Sequence, residues 1–262
     1  MVEFHPRNTC FEWVPSKGPY RLLTPEQARQ YDDQGYFLLQ NAFSEDELDA
    51  VNAAIAPHER AMEDYVRSQP GGQMMIAKAD AITFTVHLVT KSEVLRQFSR
   101  HPVFQALCGD LIGAPTRLYW DQAVYKKPGN PEEFPWHQDN GYTFTEPQQY
   151  LTCWVPLNDA TEANGCPWVV PGIHRRGTIK HEMSPLGWEC LSRPQGAVAV
   201  PAKKGDIVVF SSLTPHRTGP NLTDGTRQAY ILQYAPDGAL AWPPGATEGV
   251  PQDDPHRQYL IT

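Results

Sequence analysis

Residues 197–234 read AVAVPAKKGDIVVFSSLTPHRTGPNLTDGTRQAYILQY, and three short apolar runs alternate there with turn-forming residues. The runs are rich in β-branched and aromatic residues, which favour strands. The pairs Lys204-Gly205 and Asp224-Gly225 separate them as turns. The stretch therefore predicts short strands in close succession. The candidate strands are Ala197–Val200, Asp206–Ser211 and Arg227–Tyr234.

The residues before this β region predict helices first and strands later. Ser44 and Glu47 form a capping box that opens a helix over about residues 45–66, in which Pro57 could cause a kink or a break. This order indicates a mainly β fold with a helical N-terminal layer, either a sandwich or a jelly roll. The other candidate elements are a helix from Thr24 to about Gly35, strands at Tyr36–Leu39 and Ile82–Val89, helical residues 92–113, and strands at Thr116–Tyr125, Tyr150–Pro156 and Pro167–Val170.

No linker or internal repeat divides the sequence, so residues 1–262 are predicted to form one domain. Hydrophobic residues make up 40% of the chain, which is enough for a sizeable core, and 25 Pro and 19 Gly favour many turns. The predicted parts are an extended arm at 1–20, a mainly helical support at 21–113, a β-core with the active site at 114–236, and an irregular tail at 237–262.

Composition narrows the classes of partner. The net charge of −8 argues against a nucleic-acid partner, because such proteins usually carry a basic face. The five cysteines are scattered without a C-x-x-C pair, which favours reduced thiols in a cytoplasmic protein. The N-terminus lacks the pattern of a signal peptide, and no run of about 18 apolar residues predicts a membrane span. A small molecule remains the expected partner.

Two short motifs, WHQDN at 136–140 and TPHRT at 214–218, predict a metal site. On a strand, residues i and i+2 point to the same side, so His137 and Asp139 could share one metal ion. His216 follows an apolar strand and supplies a second imidazole. Two imidazoles and one carboxylate on one side of a metal are the facial triad of non-haem Fe(II) oxygenases. An H-x-D pair alone is a weak signal, and its weight depends on the residues around it.

A candidate anion site lies close behind the triad in the sequence. Arg227 opens a strand eleven residues after His216, and the turn at 221–225 would fold that strand back. Fe(II) with two neutral imidazoles and one carboxylate carries one positive charge, and 2-oxoglutarate brings two negative charges. A guanidinium would balance the site and bind the distal carboxylate through two parallel hydrogen bonds. Thr218 could add a hydroxyl. The alternative for Arg227 is an ordinary surface ion pair.

The motifs together resemble those of the phytanoyl-CoA dioxygenase family, which includes ectoine hydroxylase. The resemblance covers about residues 20–236 and is far more specific than any single motif. It implies a cupin-like double-stranded β-helix, also called a jelly roll, that holds Fe(II) and 2-oxoglutarate at its open end and uses O2. The motifs are LTPE at 23–26 with DQGY at 33–36, WHQD at 136–139, NGCPWxxPGxH at 164–174, GDIVVF at 205–210, and H-x-T at 216–218 with Arg227.

The resemblance also implies roles for individual residues. The metal-ligand positions of the family are matched by His137, Asp139 and His216, and the co-substrate clamp is matched by Thr218 and Arg227. Ser is commoner than Thr at the first clamp position. Further co-substrate contacts with a looser match are Gln122, Trp154, for which core packing is the alternative, and Lys78.

Other residues near the motifs are weaker candidates. Asn140, Tyr142 and Trp168 could line the substrate cavity, and core or rim packing is an equally good interpretation of each. His174 is expected to order a loop at the pocket mouth and not to bind the metal. A set of basic residues could form a rim, although a solvated face is the default interpretation. These are Lys126, Lys127, Arg175, Arg176 and Lys180.

The sequence thus predicts an oxygenase that hydroxylates a small molecule and releases succinate and CO2, with desaturation or cyclisation as variants. Halogenation is not expected, because related iron halogenases carry Gly or Ala where Asp139 stands. One alternative is a cupin-like isomerase or lyase without 2-oxoglutarate, which would not need Arg227 and Thr218. Another is a non-catalytic relative that binds a small molecule, for which an intact triad has no use.

Overall fold

A computed structural model describes residues 2–113 and 115–262. Its four α-helices all precede the long central strands. The helices are α1 Pro25–Gln34, α2 Glu45–Ser68, α3 Glu93–Phe98 and α4 Pro102–Leu111. The strands are β1 Tyr36–Leu39, β2 Gln73–Met74, β3 Ala77–Lys78, β4 Ile82–Val86, β5 Thr116–Lys126, β6 Phe144–Glu146, β7 Leu151–Pro156, β8 Pro167–Val169, β9 Glu182–Ser184, β10 Gly187–Glu189, β11 Val198–Ala199, β12 Ile207–Ser211, β13 His216–Thr218, β14 Arg227–Pro236, β15 Leu240–Trp242 and β16 Val250–Pro251.

The helix boundaries follow the capping signals of the sequence. Capping boxes open both α1 and α2, and Gly35, with φ 84°, ends α1 in the left-handed conformation that glycine adopts without strain. Pro57 does not split α2, which continues over 24 residues. The buried residues on its inner face, among them Leu48 and Ile55, hold the helix together across the missing hydrogen bond.

The large sheet has eight strands in the order β1-β12-β7-β14-β5-β4-β3-β2. Four of its strands, β1 to β4, come from residues 21–113, the segment that also contains α1 to α4. The predicted strand Ile82–Val89 ends at Val86 and gives way to a 3-10 turn at Leu88–Thr90. The helical region 92–113 is divided into α3 and α4, with Pro102 at the start of the second helix.

One face of the large sheet packs against the helices. This layer buries Leu48 and Ile55 of α2, Phe104 of α4, and Tyr230 and Leu232 of β14. Because side chains alternate along a strand, the residues between these on β14 point to the opposite face. The largest apolar cluster of the described chain therefore lies between the helices and the sheet, as the predicted helical layer requires.

The other face of the large sheet encloses the interior of the β-core. Trp154 of β7 and Ile231 of β14 form a second cluster there with Val169 of β8. The facing sheet is small, with the strand order β11-β8-β13. Two antiparallel sheets that face each other in this way form the double-stranded β-helix predicted from the sequence, and the candidate site residues His137, His216 and Arg227 are buried within it.

The two ends of the chain lie on this core. Phe4 forms a β-bridge with Ile179, so the N-terminal arm follows the loop after β8. The tail predicted as irregular contains β15 and β16, and β15 pairs with β6. No helix among the described residues is long and apolar enough to cross a membrane.

Candidate metal and co-substrate site

The predicted metal ligands come together from two backbone segments. His137 and His216 form an isolated antiparallel bridge, with reciprocal N–H to O=C distances of 2.9 and 2.8 Å. Asp139 does not continue a strand, as the sequence predicted, but begins a 3-10 turn at Asp139–Gly141. Gln138 points away from the two ligands, and its side-chain amide donates to the carbonyl of Leu213 at 2.5 Å. The turn thus brings the carboxylate back towards both imidazoles.

The three candidate ligand atoms face one common point. The Asp139 Oδ1 atom lies 4.0 Å from His137 Nε2 and 3.8 Å from His216 Nε2, and all three ligand atoms lie within 4.8 Å of one another. The Nδ1 atoms of the two rings lie 2.8 and 3.0 Å from the carbonyls of Pro135 and Thr214. These bonds put the proton on Nδ1 and leave the Nε2 lone pairs for a metal ion.

The carboxylate of Asp139 is oriented by two side chains that the sequence analysis missed. Thr152 Oγ1 donates a 2.6 Å hydrogen bond to Asp139 Oδ2, and Gln233 also hydrogen-bonds the carboxylate. Oδ1 is thereby left to face the imidazoles. A polar residue within the apolar run Leu151–Pro156 was the available signal for Thr152. Such outer partners fix the geometry of metal ligands.

Burial sets the protonation of the triad. Burial is the largest cause that lowers the pKa of His137 to about 3 and that of His216 to about 4, so both rings are neutral at physiological pH. Burial also raises the pKa of Asp139. A divalent cation would stabilise the ionised carboxylate against this cost. Two neutral nitrogens and one oxygen on one side are a donor set that fits Fe(II).

The candidate co-substrate clamp centres on Arg227 at the start of β14. Its side chain is fully buried, and Nη1 donates to the carbonyl of Val124 at 3.2 Å. Nε and Nη2 have no hydrogen-bond partner among the described residues. Burial lowers the pKa of Arg227 to about 10, which leaves it protonated at neutral pH. A buried cation with unused donors is costly unless an anion binds it.

Other predicted clamp residues surround the same interior. The ring of Trp154 lies 5.4 Å from the guanidinium carbon of Arg227, which is a cation–π distance. Thr218 shares its strand face with His216, two residues earlier on β13. Gln122 lies on β5 and accepts a 3.3 Å hydrogen bond from the indole of Trp120. All of these residues are therefore available to an anion that lies between the triad and Arg227.

Two of the predicted pocket residues, Tyr142 and Asn140, differ in whether their polar groups are free. The Tyr142 ring lies 5.3 Å from that of His137, and its buried hydroxyl has no partner among the described residues. Asn140 is fully buried, and its side chain bonds Thr178 and the backbone of Thr145, so it stabilises the turn that carries Asp139. Tyr142 is the one of these two that has a free polar group next to the triad.

The other two candidate pocket residues, Trp168 and His174, have contacts away from the triad, and for His174 a role in ordering a loop was expected. Trp168 is the cross-strand partner of Arg217, on the strand face opposite His216, and its ring contacts that guanidinium. His174 is buried against Trp13, and its Nε2 lies 3.2 Å from the carbonyl of Asp32 at the end of α1. Both residues stabilise loops outside the ligand set.

The five basic residues do not form one rim. Lys126 is fully buried inside the β-core, which corrects its assignment to the surface. The alternation of side chains along β5 could not predict this burial. It arises because the loops around residues 132 and 219 cover the end of the strand. The other four have separate partners. Lys127 pairs with Glu59, Arg175 with Asp33, and Lys180 with Glu3 and Glu182, while Arg176 lies over the ring of Phe4.

Comparison with known proteins decides the family. Residues 31–229, which are more than half of the chain, match the model of the phytanoyl-CoA dioxygenase family. The chain belongs to the phytanoyl-CoA dioxygenase family. It is 28% identical over 242 residues to a probable phytanoyl-CoA dioxygenase of Caenorhabditis elegans, with 82% of this chain and 76% of that protein covered.

Two further similar proteins have names that specify a reaction. The methylphosphonate hydroxylase of Gimesia maris is 27% identical over 224 residues, with 81% of this chain and 80% of that protein covered. The crystal structure of SnoK, a non-haem alpha-ketoglutarate-dependent carbocyclase from nogalamycin biosynthesis, has 26% identity and a TM-score of 0.73, and the match covers 94% of this chain and 100% of SnoK.

Membership of the phytanoyl-CoA dioxygenase family and the likeness to SnoK put the chain in the general class of Fe(II)- and 2-oxoglutarate-dependent oxygenases. The cofactors of this class are iron, 2-oxoglutarate and O2, and the His137, Asp139 and His216 cluster could hold the iron. The family and cofactor class expected from the sequence are thereby confirmed.

Gly141, in the turn after Asp139, provides a stability test of the site. A Cβ atom there would lie 1.9 Å from Cε1 of the His181 ring. That ring cannot move freely, because Nδ1 donates to Ile179 O and Nε2 accepts from Gln138 N. We expect Gly141→Ala to lower the free energy of unfolding by about 1–3 kcal/mol through overpacking, as measured by denaturant unfolding.

The matched control is Gly225→Ala, since a Cβ atom at Gly225 meets no atom within 4 Å. It should leave the denaturation midpoint almost unchanged. Equal midpoints for the two variants would show that the turn after Asp139 is not tightly packed.

Proposed function

We propose that this protein hydroxylates an unactivated C–H bond of a small molecule and converts 2-oxoglutarate and O2 into succinate and CO2. The supporting observation is the buried guanidinium of Arg227, with two unused nitrogens, inside the same β-core as a three-residue metal site. A distal carboxylate of 2-oxoglutarate would use those nitrogens in the bidentate geometry that arginine prefers. A cupin-like isomerase or lyase would have no use for this group.

The charges of the site agree with this proposal. Fe(II) bound by His137, Asp139 and His216 carries one positive charge, since burial keeps both imidazoles neutral. The dianion 2-oxoglutarate and the protonated Arg227 bring the total to zero. A buried site of zero net charge avoids most of the cost of desolvating ions. Without the co-substrate, the iron site and the protonated Arg227 would leave an uncompensated positive charge inside the β-core.

Each residue has a defined task in this proposal. The bound iron would activate O2 and drive the oxidative decarboxylation of 2-oxoglutarate. The triad uses one side of the metal and leaves the other positions for co-substrate and O2. Thr152 and Gln233 hold the Asp139 carboxylate in place. Tyr142, beside His137, is proposed to form part of the substrate wall, where its free hydroxyl can donate a hydrogen bond to a polar group of the substrate.

The surface argues against a large polyanionic substrate handle such as that of an acyl-CoA. Four of the five basic residues predicted as a rim are engaged by acidic or aromatic partners, and the fifth, Lys126, is buried. A small metabolite or natural product is therefore the proposed class of substrate. The similarity to a methylphosphonate hydroxylase and to SnoK, a carbocyclase of nogalamycin biosynthesis, supports a substrate of this kind.

The decisive experiment is a screen for substrate-dependent succinate formation. The protein is loaded with Fe(II) and 2-oxoglutarate without oxygen, mixed with metabolite pools, and then exposed to O2. Succinate that rises with one pool, together with a new product, would support the proposal. Turnover of a substrate without 2-oxoglutarate would favour the isomerase or lyase alternative. Co-substrate binding without succinate formation in any pool would favour a non-catalytic binding protein.

The product of the reaction is expected to gain one oxygen atom, and no halogen, when chloride is present. Asp139 occupies the ligand position that a halide would need, and Thr152 holds it there. The measurement is the product mass in chloride buffer. A loss of two hydrogens would instead indicate desaturation or ring closure, and a chlorinated product would contradict the assignment of Asp139 as a ligand.

A further inference from the structure

Lys126 is a second buried basic group in the proposed co-substrate site. It is the direct cross-strand partner of Arg227 in the β5–β14 ladder, and both side chains are fully buried. Like charges directly opposite each other destabilise a sheet, and burial increases that cost. Among the residues that the structure describes, no carboxylate lies within 4 Å of either cation to compensate them. The pair therefore has no charge partner within the protein itself.

The hydrogen bonds of Lys126 connect it to the predicted clamp. Its Nζ atom lies 2.5 Å from Gly219 O, 3.2 Å from Glu132 O and 3.4 Å from Thr218 Oγ1. The ammonium has an N–H group for each of these three acceptors, whereas the neutral amine has only two N–H groups and the longest contact, to Thr218, is the one left without a hydrogen. Once Lys126 is protonated, its third N–H can be donated to the Thr218 hydroxyl, and the hydrogen of that hydroxyl is then directed to a carboxylate beside Arg227. Lys126 is thus placed to fix the direction in which Thr218 donates.

We propose that Lys126 is a positioning residue of the co-substrate site, which orients the Thr218 hydroxyl and takes up a proton when the distal carboxylate of 2-oxoglutarate binds. This inference rests on the proposed function. It goes further, because it makes co-substrate binding depend on pH through a group that is neither a metal ligand nor the clamp arginine. The proton comes from solvent, and the neutral amine becomes an ammonium beside the new carboxylate.

The electrostatics of the free protein agree with proton uptake. Burial, followed by the charges of Arg227 and Arg217, lowers the pKa of Lys126 to about 6, while Glu132 raises it. The amine is therefore mostly neutral at pH 7.5 before the anion arrives. An added carboxylate stabilises the ammonium and raises the pKa. Other charged groups around this end of the core are Lys78, which pairs with Glu132, Glu133, which pairs with Arg217, and Lys127, which pairs with Glu59.

The sign of the pH dependence follows from these directions. A group whose pKa rises on binding favours the complex fully below its free pKa, and this contribution is lost as pH rises through its pKa in the complex. The affinity of the wild-type protein for 2-oxoglutarate should therefore fall as pH rises above about 6. In Lys126→Met this part of the pH dependence should be absent.

The test is calorimetric titration of 2-oxoglutarate into the Fe(II)-loaded protein, without oxygen, at pH 7.5. Buffers of different ionisation enthalpy report the number of protons exchanged on binding. We expect an uptake of about one proton in the wild type and none in Lys126→Met, with affinity weakened on the order of tenfold by loss of a charge-assisted contact. Lys126→Arg should bind more tightly than Lys126→Met and still show no uptake, because arginine is charged throughout.

Lys203→Met is the matched control, since Lys203 is exposed and its backbone amide, not its ammonium, makes the recorded contact with Asp206. It should keep both the affinity and the proton uptake. Wild-type binding without uptake, or the same uptake in Lys126→Met, would overturn the inference and leave the proposed function intact. Failure of the wild type to bind 2-oxoglutarate would overturn both. The wild-type proton count needs no variant to fold.

Discussion

Alanine at His137, Asp139 or His216 is expected to lower Fe(II) affinity and turnover by at least about 100-fold, since loss of an outer partner of a metal ligand already costs 10–100-fold. Each residue offers one ligand atom to a common point. Hydrogen bonds to backbone carbonyls orient the two imidazoles, and a hydrogen bond from Thr152 orients the Asp139 carboxylate. No other described histidine, cysteine or acidic group belongs to that cluster to replace the missing ligand. The measurements are Fe(II) binding by titration and succinate formation.

The control for this experiment is His256→Ala, because His256 is exposed in the C-terminal tail and lies outside the ligand cluster. It should retain wild-type iron affinity and turnover. The triad variants should also remain folded. Removal of a neutral imidazole or of the Asp139 carboxyl leaves no unpaired charge in the core. Near-normal iron binding and turnover in any triad variant would remove that residue from the site.

Arg227→Ala is expected to weaken 2-oxoglutarate binding strongly and to leave iron affinity almost intact. Loss of a desolvated, charge-assisted contact costs about 2–5 kcal/mol, which corresponds to roughly 30-fold to several thousand-fold in affinity. The guanidinium lies at the start of β14, and among the described residues its hydrogen-bond partner is Val124 O. The measurements are the Kd for 2-oxoglutarate and, with a substrate, its KM.

Two companion variants separate charge from geometry at this position. Arg227→Lys keeps the charge but not the planar fork, so it should restore binding only in part. Arg227→Met keeps most of the volume and removes a buried, unpaired cation, so the protein without ligand should be as stable as the wild type or more so. Unchanged 2-oxoglutarate affinity in Arg227→Ala would mean that the distal carboxylate binds elsewhere.

Side chains that point into the β-core alternate along β14 with side chains that face the helices. This alternation allows one strand to contribute a residue next to the triad and the proposed clamp arginine. Arg227 and Gln233 are an even number of positions apart, so both point into the β-core, whereas Tyr230 and Leu232 pack against the helices. Gln233 hydrogen-bonds the Asp139 carboxylate near one end of the strand. Arg227 lies at the other end, and two of its guanidinium nitrogens have no partner among the described residues. The register of β14 therefore sets the positions of both the Asp139 support and the proposed co-substrate clamp.

The local signals of the sequence were sufficient for much of the fold. The capping boxes at Thr24 and Ser44 located the starts of α1 and α2, because such caps depend only on residues three positions apart. The long strands β5, β7, β12 and β14 were predicted within a few residues, since alternating apolar runs are also local patterns. The strands β2, β3, β15 and β16 were missed, because they are only two or three residues long and depend on their partners.

The sequence by itself determined the family, the candidate metal-binding residues and the arginine proposed as the co-substrate clamp, because these are chemical identities at characteristic spacings. Only the tertiary structure decided which groups are buried and what they face. In the structure a 3-10 turn directs Asp139 towards the imidazoles, and Thr152 and Gln233 hydrogen-bond its carboxylate. Trp168 lies on the strand face opposite His216. The structure also encloses Lys126 beside Arg227. The physical reason is that burial and electrostatic environment are created by segments distant in sequence, and no local pattern records which segments will cover a given side chain.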